Sequence, residues 1–432
     1  MTTLHDRLTD LAEQAPPGGP VPELWDRARR VHRVRRAGTV AIVATAVIVL
    51  AVVATLDWQR AAPAPAPAGG PIGLPDRVWT PSPWLPSNQR PGQLIALVGA
   101  EQGTWTGTHA AVVGISASSG EYGFLDLPGA DLGNGDAELA PDGRHIAYWL
   151  RGKTTGTPLS DSGPIAGVAV YDTETGDVSR HRISTAHGLR PEFLAWADAS
   201  TIVFSAGQIV GGDDGSGMDQ STSRFGTVTS WTLGGEPQPV PGVRPGASLQ
   251  GAAHGWILVD HLLVEVDSPG RARKIAYPDT AGSMGSMHFV ALGPTGNEIA
   301  EVPGDSSPNR VKAGPPGRLR TVAGTRQSFG VVDWINSQTI VTLQRVGSWR
   351  TGASALVRHS LTTGRSRELV SFPVDTYGGD WQFATDLLDA PSVEGIEPAS
   401  PMDPRVTAGL SAATCLAAAA GLFLWRRRRV RA

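Results

Sequence analysis

Cysteine is almost absent: Cys415 is the only one in 432 residues. No intrachain disulfide forms, and no cysteine-based zinc site exists. Lysine is nearly as scarce, with only Lys153, Lys274 and Lys312 among 37 basic residues, an arginine bias typical of GC-rich bacterial genomes. The ten histidines fall in no H-x-x-x-H or H-E-x-x-H pattern, which leaves a zincin site unsupported. No G-x-S-x-G is present, so a nucleophile elbow is missing as well. From Gln93 to Leu388 no long amphipathic helix interrupts the pattern, and without alternating helices a parallel α/β sheet is excluded.

What is present is turn-rich. Gly 53 and Pro 34 accompany 41% apolar residues, enough to bury a sizeable core between many short elements. The net charge of -3 hides an uneven distribution. Residues 1–36 carry seven arginines against five acids, and residues 406–432 carry five against none, so the middle of the chain is acidic. An acidic middle argues against nucleic acid as a partner.

Residues 37–56, AGTVAIVATAVIVLAVVATL, hold no charge and follow Arg29, Arg30, Arg33, Arg35 and Arg36. This length and polarity predict a first transmembrane helix. A cleaved signal peptide is the alternative, with Ala61, Ala62 and Ala64 as small residues near a cleavage site. Residues 406–425, VTAGLSAATCLAAAAGLFLW, predict a second span before Arg426, Arg427, Arg428 and Arg429. Basic residues on both chain-terminal sides would leave the two termini cytoplasmic and the middle outside a plasma membrane. In the N-terminal 1–36 segment, Leu4, Leu8, Leu11 and Trp25 lie on helical stretches. They are candidates for contact with lipid or with a cytoplasmic protein partner. Residues 57–92 and 389–405 read as Pro-rich linkers, the first with Trp79 and Trp84 late enough to pack on the domain that follows.

Internal similarity dominates residues 93–388. Leu139 to Tyr148 reads LAPDGRHIAY and Leu292 to Glu301 reads LGPTGNEIAE, while Trp196 to Val203 (WADASTIV) and Trp334 to Val341 (WINSQTIV) share W-x-x-x-x-T-I-V. Both types have the form strand, tight turn, strand. Ile95, Ile146, Ile202, Ile257, Ile299 and Ile340 mark the strand after each turn, at a spacing suited to four-stranded propeller blades. The expected fold is all-β: a six-bladed β-propeller, with seven blades as the alternative count, flanked by two transmembrane α-helices. Trp381 to Leu388 is a candidate either for the strand that closes the ring on the first blade or for the start of another blade.

The segment LAPDGRHIAYW, followed one hairpin later by VAVYDTETGDV, resembles the repeat of TolB-type β-propellers, relatives in shape of WD-repeat proteins. The resemblance is strongest from Leu139 to Val178. TolB itself is a soluble periplasmic protein with a further domain, absent here, before its propeller, so its role does not carry over.

Candidate chemistry is sparse. Asp213, Asp214 and Asp219, and Asp131, Asn134 and Asp136, sit in glycine-rich loops that look like calcium loops but lack the EF-hand spacing, and solvated loops are the favoured reading. Trp79, Trp84, Trp105 and Trp349 are weak candidates for a sugar platform. No catalytic residue, metal site or cofactor is assigned. The reading is a membrane-anchored, extracytoplasmic propeller that binds or senses a protein or cell-envelope ligand. The alternatives are a transmembrane regulator of a sigma factor, working through the N-terminal helices, and an extracellular propeller hydrolase or lyase. Converging acidic and His side chains at the central channel would mark the enzyme, and a smooth apolar or acidic face the binding module.

Overall fold

The computed structural model describes residues 4–14, 72–132, 137–158, 163–210, 223–267, 272–275, 290–303, 310–346, 353–373 and 381–431. These divide into two compact units, one holding residues 62–401 and the other the two ends of the chain.

The larger unit is a six-bladed β-propeller of antiparallel blades. Blade 1 is built from Leu94–Thr104, Gly107–Ser116 and Tyr122–Phe124, with Trp381–Phe383 as its innermost strand. Blade 2 takes Ala137–Leu139, His145–Arg151, Ile165–Asp172 and Val178–Arg182. Blade 3 takes Leu189–Trp196, Thr201–Ile209, Thr229–Thr232 and Gln238–Pro239, with Ser223–Arg224 added beside the second strand. Blade 4 runs through Leu249–Ala253, Trp256–Val259, Leu262–Glu265 and Arg273–Lys274. Blade 5 comprises Val290–Leu292, Ile299–Glu301, Lys312–Gly314 and Arg320–Thr321, and blade 6 Ser328–Asn336, Thr339–Val346, Ala353–Ser360 and Ser366–Ser371.

Each marker isoleucine lies on the second strand of its blade and is 0% exposed. Burying a side chain of that size contributes about 1.5–3 kcal/mol, so the six repeats each place one large apolar anchor between blades. The Pro-Asp-Gly turn folds as its residues require. Gly143 sits at φ +74, its amide donates to Ala140 O (2.9 Å), and Asp142 Oδ1 caps the Arg144 amide (2.9 Å). In the related repeat, Gly296 at φ +67 donates to Gly293 O (2.9 Å), giving the same turn. The shared tryptophan has a structural task. Trp196 Nε1 donates to Glu138 O of blade 2 (2.9 Å), and Trp334 Nε1 to Ala291 O of blade 5 (3.1 Å). Each indole thus bonds its blade to the innermost strand of the one before.

The ring closes where the sequence predicts. Phe383 pairs with Ala96 and Trp381 with Val98, so the last strand completes the first blade. Gln382 then ties that strand to blade 2, accepting from the Leu139 amide (2.7 Å) and donating to Ala137 O (2.8 Å). A strap reinforces this seam from outside. Residues 72–91 run along blade 6, where Arg77 bridges Ser371, then blade 1, where Ser87 bridges Phe124, and reach blade 2, where Tyr171 Oη donates to Gln89 O. Val78 and Leu85 are buried beneath the strap, and Trp84 packs on Gly103, where a side chain would collide with the indole. Leu74–Pro75 pairs in parallel with Ser392–Val393, so the lead-in and the exit of the propeller lie side by side.

The smaller unit contains the helices Leu4–Glu13 and Pro404–Arg431. The second begins as an N-cap predicts: Asp403 Oδ1 accepts from the Arg405 amide (2.8 Å), with Pro404 at the first helical position. Here the two-span plasma-membrane expectation is corrected. Residues 406–425 do form a helix, but among the described residues no helix is long and apolar enough to cross a membrane. The physical reason is composition. The stretch is alanine-rich, with only six Val, Leu or Phe residues, and its hydroxyls Thr407, Ser411 and Thr414 bond back to their own helix. The first predicted span, 37–56, and the arginines before it lie outside the described residues.

Candidate functional site at the propeller axis

The innermost strands of all six blades converge on an axial cavity of about 460 Å³. Its charged lining comes from the innermost strands, which carry Glu138 and Asp333, and from the turns after them, which carry Asp198, His254 and Asp386. Blade 2 contributes Glu138, blade 3 Asp198, blade 4 His254, and blade 6 Asp333, while Asp386 follows the closing strand of blade 1. No lysine or arginine lines the cavity.

His254 owes its place to an uncommon turn. Ala253 pairs with Trp256, so His254 and Gly255 form a two-residue hairpin loop with φ of 53° and 79°. Positive φ at both positions favours Asn-Gly or Gly-Gly, and histidine there is less favourable. The turn directs the imidazole to blade 6 across the ring, where Nε2 lies 3.1 Å from Asp333 Oδ1. Asp333 is 5% exposed, and the same oxygen accepts the Trp334 amide at 2.7 Å.

The charges of the cavity act on one another. Burial pulls the His254 pKa down, but the hydrogen bond and charge of Asp333 and the charge of Asp386 outweigh it and raise the value overall. Asp386 is also raised, first by burial and then by Asp333, with smaller contributions from Asp142 and Asp198 opposing the pull of His254. Four carboxylates therefore share one field with a single imidazole. Trp381, on the closing strand that lines the cavity, has a buried Nε1 with no hydrogen-bond partner among the described residues.

The residues singled out from sequence lie elsewhere. Leu4, Leu8 and Leu11 fall on the helix Leu4–Glu13, and Trp25 lies outside the described residues with Arg29, Arg30, Arg33, Arg35 and Arg36. Arg426, Arg427, Arg428 and Arg429 are on the helix Pro404–Arg431. Asp131 is 2% exposed and receives Arg151 Nη2 at 2.9 Å, so its carboxylate is already engaged; Asn134, Asp136, Asp213, Asp214 and Asp219 are outside the described residues. Trp79 and Trp84 belong to the strap, Trp105 is exposed at a hairpin tip, and Trp349 is not among the described residues. The axial residues escaped a linear reading because five blades supply them. One local signal exists: His-Gly between two apolar strands, where Asn-Gly is the ordinary choice.

The chain matches no protein-family model, and no curated protein is similar to it in sequence. Solved structures similar to it include TolB from Acinetobacter baumannii, at 13% identity and TM-score 0.36, over 66% of this chain and 65% of that one. A prolyl endopeptidase is similar at 15% identity and TM-score 0.40, over 63% of this chain and 42% of its own. An oligogalacturonate lyase solved with manganese is similar at 11% identity and TM-score 0.37, over 64% and 74%. The chain thus spans less than two thirds of the TolB and endopeptidase chains. The solved propellers resembling it include TolB and enzymes alike, and the TolB-type repeat read at Leu139 to Val178 is one blade of a six-bladed ring.

Proposed function

We propose that the protein is a binding propeller whose axial cavity takes a cationic group, an amine or guanidinium, from a small molecule or a partner side chain. One observation carries this reading: Glu138, Asp198, Asp333 and Asp386 face a cavity with no lysine or arginine in its lining. A desolvated carboxylate is stabilised by an incoming cation, and a charge-assisted hydrogen bond there contributes about 1.5–3 kcal/mol. The cavity volume suits one such group with its neighbouring atoms. Calorimetry with agmatine, cadaverine and size-matched neutral and anionic analogues tests the reading. Saturable binding of the cations alone is the expected result; equal binding of glutarate would sink it.

A second reading rests on the His254–Asp333 pair. Acidic groups converging on a histidine are what a propeller hydrolase or lyase would need, with His254 as base and the elevated Asp386 as a proton donor. A carboxylate-rich substrate would meet no lysine or arginine there, so this reading requires a neutral or cationic substrate. Turnover abolished by both Asp333→Asn and His254→Asn, on a substrate that wild type consumes, would favour it over binding.

A further inference from the structure

The axial cavity is not acidic throughout. Opposed to Glu138, Asp198, Asp333 and Asp386 is an apolar wall: Val331, Leu343, Leu356, Trp381 and Phe383 line the same space, and each is at most 7% exposed. Two of these side chains do not belong to an innermost strand. Leu343 and Leu356 stand on the second and third strands of blade 6, and they reach the cavity past Gly330.

Gly330 lies on the innermost strand of that blade. It pairs with Leu343, and Leu343 pairs with Leu356, so the three share one face of the sheet. A Cβ built on Gly330 would meet no heavy atom within 4 Å, so no close approach of another chain segment demands glycine there. A bulge adjoins it, between Ser328 and Gly330, but the backbone of Gly330 is not at positive φ, so the bulge does not demand glycine either. What the missing side chain leaves is room. Trp381 and Phe383 of the closing strand belong to the same hydrophobic cluster as Leu343 and Leu356, so the space beside Gly330 is apolar on the side of blade 1 as well as on that of blade 6. The cavity thus has a lateral recess between those two blades.

From this placement we infer that Gly330 sets the specificity of the axial site, and that its ligand is a small molecule with one cationic group on a slender apolar stem, an alkylamine or its guanidine counterpart. The inference rests on the cation reading above and adds to it what the rest of the ligand is. The charge rests among the carboxylates, and the stem lies in the recess. A second charge at the far end of the stem would lose its hydration against Val331 and Leu356 without gaining a partner, and a hydroxyl there would be left unpaired. Leu356, only 1% exposed, ends the recess, so the stem finishes in a free end. A lysine or arginine side chain of a protein partner has no such end, because its stem runs back to a backbone.

Calorimetry on the full chain with methylamine, n-butylamine, n-hexylamine and hexamethylenediamine tests this. Wild type should bind n-hexylamine at least about tenfold more tightly than methylamine, the gain being up to about fourfold per buried methylene. Hexamethylenediamine should bind more weakly than n-hexylamine, since its second ammonium would enter the recess. Gly330→Leu fills the recess and should remove the dependence on stem length. Gly330→Ala adds a single carbon to open space, should reduce that dependence, and supplies the answer should a thermal melt show that leucine impairs folding. Asp386→Asn, by contrast, should weaken methylamine and n-hexylamine by the same factor. Equal wild-type affinities for methylamine and n-hexylamine would overturn the inference and leave the acidic site standing. So would tighter binding of the diamine, or a stem-length dependence that both Gly330 variants keep intact. Absence of binding by every amine, or binding of n-hexanol equal to that of n-hexylamine, would overturn the cation reading and this inference together.

Discussion

The acidic lining of the axis and the outer edge of blade 5 are both charged surfaces, but they are built on different physical terms. At the axis, Asp198, His254 and Asp386 from turns and Asp333 from an innermost strand come from separate blades and are forced together. The cost is visible in a histidine at positive φ and in a carboxyl with a raised pKa. At the outer edge of blade 5, Arg310, Lys312, Arg318, Arg320 and Arg326 are exposed beside solvent. A crowded, partly buried cluster is preorganised for a small group that reaches it. Open charges act through a field that salt screens. One molecule thus carries a crowded acidic site and an open basic edge.

The largest expected effect falls on the axis. Trp334 is 2% exposed, bonds blade 5 through its indole, and donates its amide to Asp333. Trp334→Ala should cost about 3–5 kcal/mol in urea unfolding, and should abolish amine binding. Next comes acid. His359 is 0% exposed, enclosed by Thr342, Gln344 and Ser366, and burial depresses its pKa to about 4. A histidine depressed in the folded state stabilises it above pH 6.5. That stability, about 3 kcal/mol, is lost as pH falls from 6.5 through 4, so a His359→Gln variant should show a flatter acid limb in thermal melts. Comparisons of axis and edge are therefore cleanest above pH 6.5.

Third, charge reversal at the exposed edge should move stability by no more than about 0.5 kcal/mol, whereas Asp198→Asn or Asp386→Asn should each weaken amine binding about tenfold by calorimetry. Both should also relieve like-charge repulsion and leave stability equal or higher. The smallest effect is the most discriminating. His254 and Asp386 both have raised folded pKa values, so the folded state binds the extra protons. Their contribution to stability is fully present below the unfolded values and declines as pH rises through the folded ones. Loss of those protons deepens the negative field, so amine affinity should rise over the same pH range in which stability falls. His254→Asn keeps a turn that favours Asn-Gly, should shift stability by about 1 kcal/mol or less, and should remove that opposition near neutrality.

Much of the fold was legible because its signals are local. A Pro-Asp-Gly turn, an isoleucine on the strand after it and a tryptophan before it each need only a few consecutive residues, and all six isoleucine marks fall on buried second strands. The closing strand was legible too, since Trp381 to Leu388 is a strand candidate left over at the end of the repeats. The axial site was not. His254 and Asp333 are 79 residues apart and meet only because the ring curves round on itself. Hydropathy misled at residues 406–425, where an alanine-rich helix followed by arginines resembles a span without its apolarity. The basic edge was hidden by an average, an acidic total across the middle concealing one basic sector.

The seam has a consequence for the order in which the protein is made. Blade 1 is synthesised first among the blades, yet its innermost strand is Trp381–Phe383, and the pairing partner of Leu74–Pro75 is Ser392–Val393. During translation the strand Leu94–Thr104 waits with an open edge until nearly the whole propeller has emerged, and an unpaired apolar edge is a template for misplaced strands. The strap that precedes it is available from the outset and can cover the outer side of blade 1 while its inner side remains vacant. Ring closure then follows the synthesis of every other blade, and a chain ending before residue 381 would hold five complete blades beside a sticky first blade rather than a smaller, finished domain.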